Sequence, residues 1–112
     1  MLDMNSMMGK IQEAQQKLKE AKESLVHVTA KGDAGAGLVK ATVNGNRLVV
    51  NIEFDKSLLS EKDKEMLQDL TIAAINKAIE NIEPKIKETM ESATSGMIPN
   101  IPGMDLGNMM NF

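Results

Sequence analysis

The stretch Val39-Lys-Ala-Thr-Val-Asn-Gly-Asn-Arg-Leu-Val-Val-Asn-Ile-Glu-Phe54 decides the fold. Val39, Ala41 and Val43 alternate with Lys40 and Thr42, and beyond Asn44-Gly45 the residues Leu48, Val50, Ile52 and Phe54 fall on one face. Successive side chains of a strand point to opposite faces, so this period of two describes a sheet with one covered and one wetted side. Asn44-Gly45 is a strong hairpin signal because both residue types tolerate positive φ. Upstream, Val26, Val28 and Ala30 alternate with His27, Thr29 and Lys31 as far as Gly32-Asp33, which adds a first strand. Three antiparallel strands in a meander are predicted.

Further out on both sides the period changes to that of a helix. Met4, Met7, Ile11, Ala14, Leu18, Ala21 and Leu25 recur at alternating steps of three and four, as in a coiled-coil seam. Lys10, Lys17 and Lys22 flank this seam, while Glu13, Glu20 and Glu23 lie on the outer side. After the strands, Ser60 with Asp63 three residues on resembles a capping box and opens a helix to about Ser92. Its first half has a broad apolar face, with Leu67, Leu70, Ala73, Ala74, Ile75 and Ala78, suited to covering a sheet. Its second half carries a narrow seam at Ile75, Ile79, Ile82, Ile86, Thr89 and Ala93. Pro84 falls inside it and should kink or restart the helix, since proline lacks the N–H of an intrahelical bond.

An odd number of antiparallel strands starts the second helix at the end of the sheet away from the first, so it must return across the sheet. The expected fold is α+β: a long N-terminal helix, a three-stranded antiparallel meander and a long, kinked or restarted C-terminal helix. The paired helix ends would form an arm, and the length of their apolar stripes calls for a dimer. Residues 1–95 form the expected domain. Residues 96–112, rich in Gly, Pro, Asn and Met, have no sustained period and read as a flexible tail.

Composition narrows the function. The chain has 112 residues, 42% of them hydrophobic, too few for a multidomain enzyme. Without cysteine it has neither disulfides nor thiolate ligands, and its start, MLDMNSMMGK, lacks the features of a signal peptide, so a cytoplasmic location is expected. No stretch nears the ~20 consecutive apolar residues that span a bilayer. A net charge of −3 requires any nucleic-acid surface to be locally cationic. Two phenylalanines are the only aromatics, which disfavours the stacking platforms used on single strands.

Motifs for chemistry are weak. The segment Gly32-Asp33-Ala34-Gly35-Ala36-Gly37 lacks the Gly-Lys-Ser/Thr of a phosphate loop and leads into a strand, so it reads as a flexible connection. His27 is the single histidine and has no second ligand with which to hold a metal. Carboxylates are interleaved with lysines along the helices, and no nucleophile is paired with a base. The lysines beside the first seam have two readings, as phosphate contacts or as salt bridges to Glu80, Glu83, Glu88 and Glu91.

The run from Gly32 to Glu83 closely resembles the YbaB/EbfC family of bacterial nucleoid-associated proteins. The resemblance is carried by Gly35-Ala-Gly-Leu-Val-Lys40, Asn44-Gly45, Asp55 with Leu58-Leu59, and Lys64-Glu-Met-Leu-Gln-Asp-Leu70, and it extends over nearly the whole chain. It implies a dimer joined through the sheet and the start of the second helix, here at Val39, Val43, Leu67, Leu70 and Ala74. It also implies helical arms that meet double-stranded DNA with little sequence preference. Matched by location on the arms, the DNA-contacting residues are Lys10, Lys17, Lys19, Lys22, Lys85 and Lys87. Pro84 and the acidic Glu83, Glu88 and Glu91 depart from that picture.

The expected function is therefore a non-enzymatic one: a homodimeric, nucleoid-associated DNA-binding protein contributing to nucleoid organisation or gene regulation. No cofactor, metal, membrane or small-molecule substrate is expected. The alternative is a dimeric protein-interaction module, adaptor or chaperone-like, with incidental DNA affinity.

Overall fold

A computed structural model of the chain describes residues 4–94. The element order is α1 (Met4–Ser24), β1 (Thr29–Ala34), β2 (Val39–Asn44), β3 (Val49–Phe54) and α2 (Lys64–Thr94), with single 3-10 turns at Leu25–His27, Lys56–Leu58 and Glu61–Asp63. The strands form one antiparallel sheet in the order β1-β2-β3. This is the predicted α+β fold. Two compact units divide it: a helical unit holding α1, Leu25 and the end of α2 from Ile86, and a sheet unit from Val26 to Lys85. The predicted tail, 96–112, lies outside the described residues.

In the sheet unit the period of two does what the sequence demands. Ala30 and Gly32 of β1 and Val39, Ala41 and Val43 of β2 are buried, while Thr29, Lys31, Asp33 and Lys40 are exposed. Ala74, Ala78 and Ile82 of α2 are fully buried in the same unit. Full burial of a valine or isoleucine side chain contributes ~1.5–3 kcal/mol, so Val39, Val43 and Ile82 form the energetic centre. Gly32 sets how closely α2 approaches β1: a Cβ there would lie 2.2 Å from the Ala78 nitrogen and 2.5 Å from the Ala74 oxygen. Two side-chain bonds tie the same edge, Asn81 Nδ2 donating to the Lys31 carbonyl at 2.8 Å and Lys85 Nζ to the Thr29 carbonyl at 2.7 Å.

Several local expectations change. The first strand starts at Thr29 rather than Val26, because Leu25 is buried and the chain leaves α1 through a 3-10 turn before extending. His27 therefore sits, exposed, in that turn and not on the strand. The β2–β3 connection is wider than a two-residue Asn-Gly turn. Asn44 is the buried last residue of β2, and its side chain accepts from the backbone N–H groups of Asn46 at 2.9 Å and Leu48 at 3.2 Å. The positive φ falls on Arg47, at 62°, and the register slips by one residue between Thr42 and Val43, a β-bulge. In the β1–β2 connection Gly35, Ala36 and Gly37 all have positive φ, which leaves no helix N-terminus to cradle a phosphate.

The C-terminal helix also differs in detail. Ser60 Oγ donates to Asp63 Oδ2 at 2.9 Å instead of capping the backbone, and the α-helix begins one 3-10 turn later, at Lys64. It is continuous through Pro84, with Ile82 and Ile86 buried on either side of the proline. In the helical unit its buried residues are Ile86, Met90 and Thr94, while the predicted seam positions Thr89 and Ala93 are half-buried. Steps of four follow the i±4 ridge by which ordinary helix pairs interdigitate, rather than the alternating steps of a supercoil.

Candidate nucleic-acid and partner-binding surfaces

The candidate DNA contacts divide by location and by occupancy. Lys10, Lys17, Lys19 and Lys22 are exposed on α1 in the helical unit. At about 100° of rotation per residue, Lys10 and Lys17 lie on one flank of the seam, Lys19 and Lys22 toward the other, and Glu13, Glu20 and Glu23 on the far side. Lys17 Nζ lies 3.8 Å from Glu13 on its own helix, an exposed pair contributing only ~0.3–0.5 kcal/mol. Lys10, Lys19 and Lys22 have no ion pair or side-chain hydrogen bond among the described residues. Lys87 is 3.9 Å from Glu91. Lys85 belongs to the sheet unit, where its ammonium donates to the Thr29 carbonyl.

Among the described residues no α1 lysine is paired with an α2 acid: Lys17 lies near Glu13 of its own helix, and Glu83 is paired with Arg47. The Arg47 guanidinium donates to both Glu83 oxygens, Nε at 2.6 Å and Nη2 at 2.9 Å. These hydrogen bonds hold the Glu83 carboxyl below its ordinary range and raise the Arg47 guanidinium above its own. The only arginine of the chain is thus spent on fixing the β2–β3 turn to α2.

The second surface is apolar. Every residue of β3 except half-buried Ile52 is exposed, including Val49, Val50 and Phe54, and Leu48 precedes them in the open. On α2, Met66 and Ile72 are exposed too, and Ile72 keeps 59% of its surface. Between the two elements runs a groove of about 580 Å³ lined by Phe54, Leu67, Gln68, Asp69, Thr71 and Ile72. A bare edge strand beside an apolar groove is the kind of surface that proteins cover with a partner.

The residues assigned from sequence to the dimer interface distribute unevenly here. Val39, Val43 and Ala74 are sealed within the protomer, without surface to offer. Leu70 packs toward the β1–β2 turn, where its Cδ1 would be 2.9 Å from a Cβ at Gly35. Leu67 alone lines the groove. Phe54, Thr71 and Ile72 line it too and were not among the residues assigned from sequence. Of these, Phe54 stood in the sequence at the end of the alternating Leu48, Val50, Ile52 and Phe54 face.

Among the described residues, no group of three or more His, Cys, Asp or Glu could hold a metal ion, and no helix is long and apolar enough to cross a membrane.

An α+β chain with exposed lysines along its first helix and an open sheet edge defines a small binding protein. Residues 1–97 match the YbaB/EbfC DNA-binding family, and the chain belongs to that family. It is 37% identical over 102 residues to a nucleoid-associated protein of Thermoanaerobacter pseudethanolicus, covering 91% of this chain and 90% of that one. It is 41% identical over 98 residues to a nucleoid-associated protein of Chlorobium phaeobacteroides, covering 88% and 86%. The fold matches the crystal structure of an uncharacterized protein from Helicobacter pylori, with a TM-score of 0.63 and 24% identity over 79% of this chain and 92% of that one.

Proposed function

We propose that this protein is a nucleoid-associated homodimer that binds double-stranded DNA in the cytoplasm with little sequence preference, contributing to nucleoid organisation or gene regulation. The observation that carries the reading is the set of exposed ammonium groups of Lys10, Lys19 and Lys22 on α1, which have no partner among the described residues. Ammonium groups are mobile point charges that contact phosphates, and phosphate contacts position a protein without reading bases. Lys17 and Lys87 join them once DNA competes for their weak carboxylate pairs. The names of the relatives support the nucleoid location. Action is by binding, without a catalytic step, metal or cofactor.

Dimerisation is assigned to β3 and the facing side of α2, with Phe54, Leu67 and Ile72 at its centre and Val39, Val43 and Ala74 supporting the face from beneath. A dimer places two copies of α1 on one assembly, which doubles the cationic contacts and compensates for a net negative chain. Glu88 and Glu91 leave Lys87 as the single α2 contribution to the phosphate-facing side.

The test is fluorescence anisotropy on two unrelated duplexes of equal length across a salt series. Similar affinities with a steep salt dependence are expected. Replacing Lys10, Lys19 and Lys22 by Gln should reduce the slope of log K against log salt by ~0.9 for each phosphate contact removed. An unchanged slope in that variant would remove α1 from the interface, and absence of binding at low salt would overturn the DNA reading.

A further inference from the structure

The backbone groups along the outer edge of β1 can be placed from the hydrogen bonds of β2. In an antiparallel sheet the N–H and C=O of one residue point the same way, and successive residues alternate between the two neighbouring strands. Asn44 donates its N–H to the Leu48 carbonyl at 3.0 Å and accepts from the Arg47 N–H at 2.9 Å, and the Leu38 carbonyl accepts from the Asp55 N–H at 2.8 Å. The even-numbered residues of β2 therefore turn toward β3. Their partners in β1 are Thr29 (Asn44), Lys31 (Thr42) and Asp33 (Lys40). The backbone groups of Thr29, Lys31 and Asp33 accordingly point away from β2, along the free edge of the sheet.

Two of these three carbonyls are taken by side chains of α2. Asn81 Nδ2 donates to the Lys31 carbonyl at 2.8 Å and Lys85 Nζ to the Thr29 carbonyl at 2.7 Å. Four residues of helix rise ~6 Å and two residues of an antiparallel strand advance ~6.8 Å, so side chains one turn apart on α2 meet alternate carbonyls of a strand running the other way. Lys77 stands one turn earlier in this series, and no bond joins it to Asp33. An edge with free carbonyls is a template for a further strand. A second copy of this chain is a matched occupant: with β1 antiparallel to its copy and Gly32 at the centre, Lys31 falls opposite Asp33 of the second copy, twice over. Both side chains are exposed and have no ion pair among the described residues, and opposite charges directly across two strands stabilise the pairing.

We propose that Asn81 and Lys85 determine the assembly of this protein by closing the β1 edge to strand addition by a second copy of the chain. With the Thr29 and Lys31 carbonyls occupied, the remaining template at Asp33 is too short to hold another strand, and growth of the sheet from this side stops at the protomer. The proposal concerns the β1 edge alone, and it stands whichever face forms the dimer and whether or not DNA is bound.

The test uses the full chain carrying Asn81→Ala with Lys85→Ala, followed by sedimentation velocity over a concentration series, with circular dichroism to verify the fold. The parent should keep one sedimentation coefficient, whereas the double variant should shift to larger species as concentration rises. In those species amide exchange at Lys31 and Asp33 should slow relative to the parent. Adding Asp33→Lys, at an exposed position, sets like charges opposite each other and should return the double variant to the size of the parent. Lys62→Ala, which removes the same charge from an exposed lysine away from the edge, should not assemble. A folded double variant of parental size at every concentration overturns the proposal. So does assembly that ignores Asp33→Lys and leaves exchange at Lys31 and Asp33 unchanged, since it would arise on another surface. Should the double variant lose the parental spectrum, the single variants Asn81→Ala and Lys85→Ala, each freeing one carbonyl, are read by the same criteria.

Discussion

Replacing Gly32 with alanine adds one methyl group, yet it should be among the most damaging single substitutions in the sheet unit. The new Cβ would lie 2.2 Å from the Ala78 nitrogen, 2.5 Å from the Ala74 oxygen and 2.8 Å from the Lys77 carbonyl carbon, all backbone atoms. Ordinary van der Waals contact begins near 3.4 Å, so α2 must withdraw by about 1 Å from β1, enough to forfeit much of the dispersion energy of the contact. Overpacking costs ~1–3 kcal/mol where side chains can yield, and here only backbone is available to move. Withdrawal also stretches the bonds from Asn81 to Lys31 and from Lys85 to Thr29, each contributing ~0.5–1.5 kcal/mol net. The total, about 2–6 kcal/mol, is a large share of the ~5–15 kcal/mol that stabilises a typical domain. Thermal unfolding followed by circular dichroism, at one fixed protomer concentration because association is linked to stability, should show a fall of at least ~10–20 °C. A G32A protein melting within a few degrees of the parent would refute the account of how α2 seats on β1. Gly9→Ala is the internal control: nothing lies within 4 Å of a Cβ there, and the better helix former should stabilise α1 by up to ~1 kcal/mol.

Other outcomes follow from the same geometry. Ile72→Glu, at an exposed position, should convert the proposed homodimer to a folded monomer in sedimentation or light scattering; a dimer of unchanged affinity would move the proposed interface away from the groove beside Phe54. Arg47→Ala should cost no more than about 1 kcal/mol in urea unfolding, because the pair is half exposed and screened. The Glu83 carboxyl is depressed in the folded state, so its contribution is full above the ordinary value of 4.5 and is lost as pH falls through its lower folded value. The parent should therefore lose more stability than Arg47→Ala on acidification below about pH 4.5, and parallel curves for the two proteins would remove the pair from the acid response. Lys85→Gln should lower stability through the lost bond to Thr29 while leaving the salt slope of DNA binding nearly unchanged, and a slope reduction equal to that of Lys22→Gln would return Lys85 to the DNA interface.

Much of the architecture is local, and local chemistry is what a sequence displays. The period of two in VKATVNGNRLVVNIEF determined the hairpin and which side of β2 is buried, because a strand has only two faces. The steps of three and four from Met4 to Leu25 determined α1 and its seam. The cationic character of α1 could be read directly, since lysines on an exposed helix need no partner to remain there. What the sequence could not determine depends on which of several equivalent choices is satisfied by contact. Leu67, Leu70 and Ala74 look alike in the sequence as one broad apolar face. Only packing sends Ala74 to full burial against β1 and Leu70 onto the Gly35 turn, leaving Leu67 to line the groove beside Phe54. Met90 rather than Thr89 enters the helical core, although the two differ by a single step around α2, because the i±4 ridge fits its neighbour. Arg47 and Glu83, 36 residues apart, meet only once the bulged hairpin turn reaches α2, and Gly32 is required only because a helix backbone comes to rest upon it. Periodicity sets the face that each element turns inward, whereas the identity of the atom met on that face is decided by close packing of distant segments.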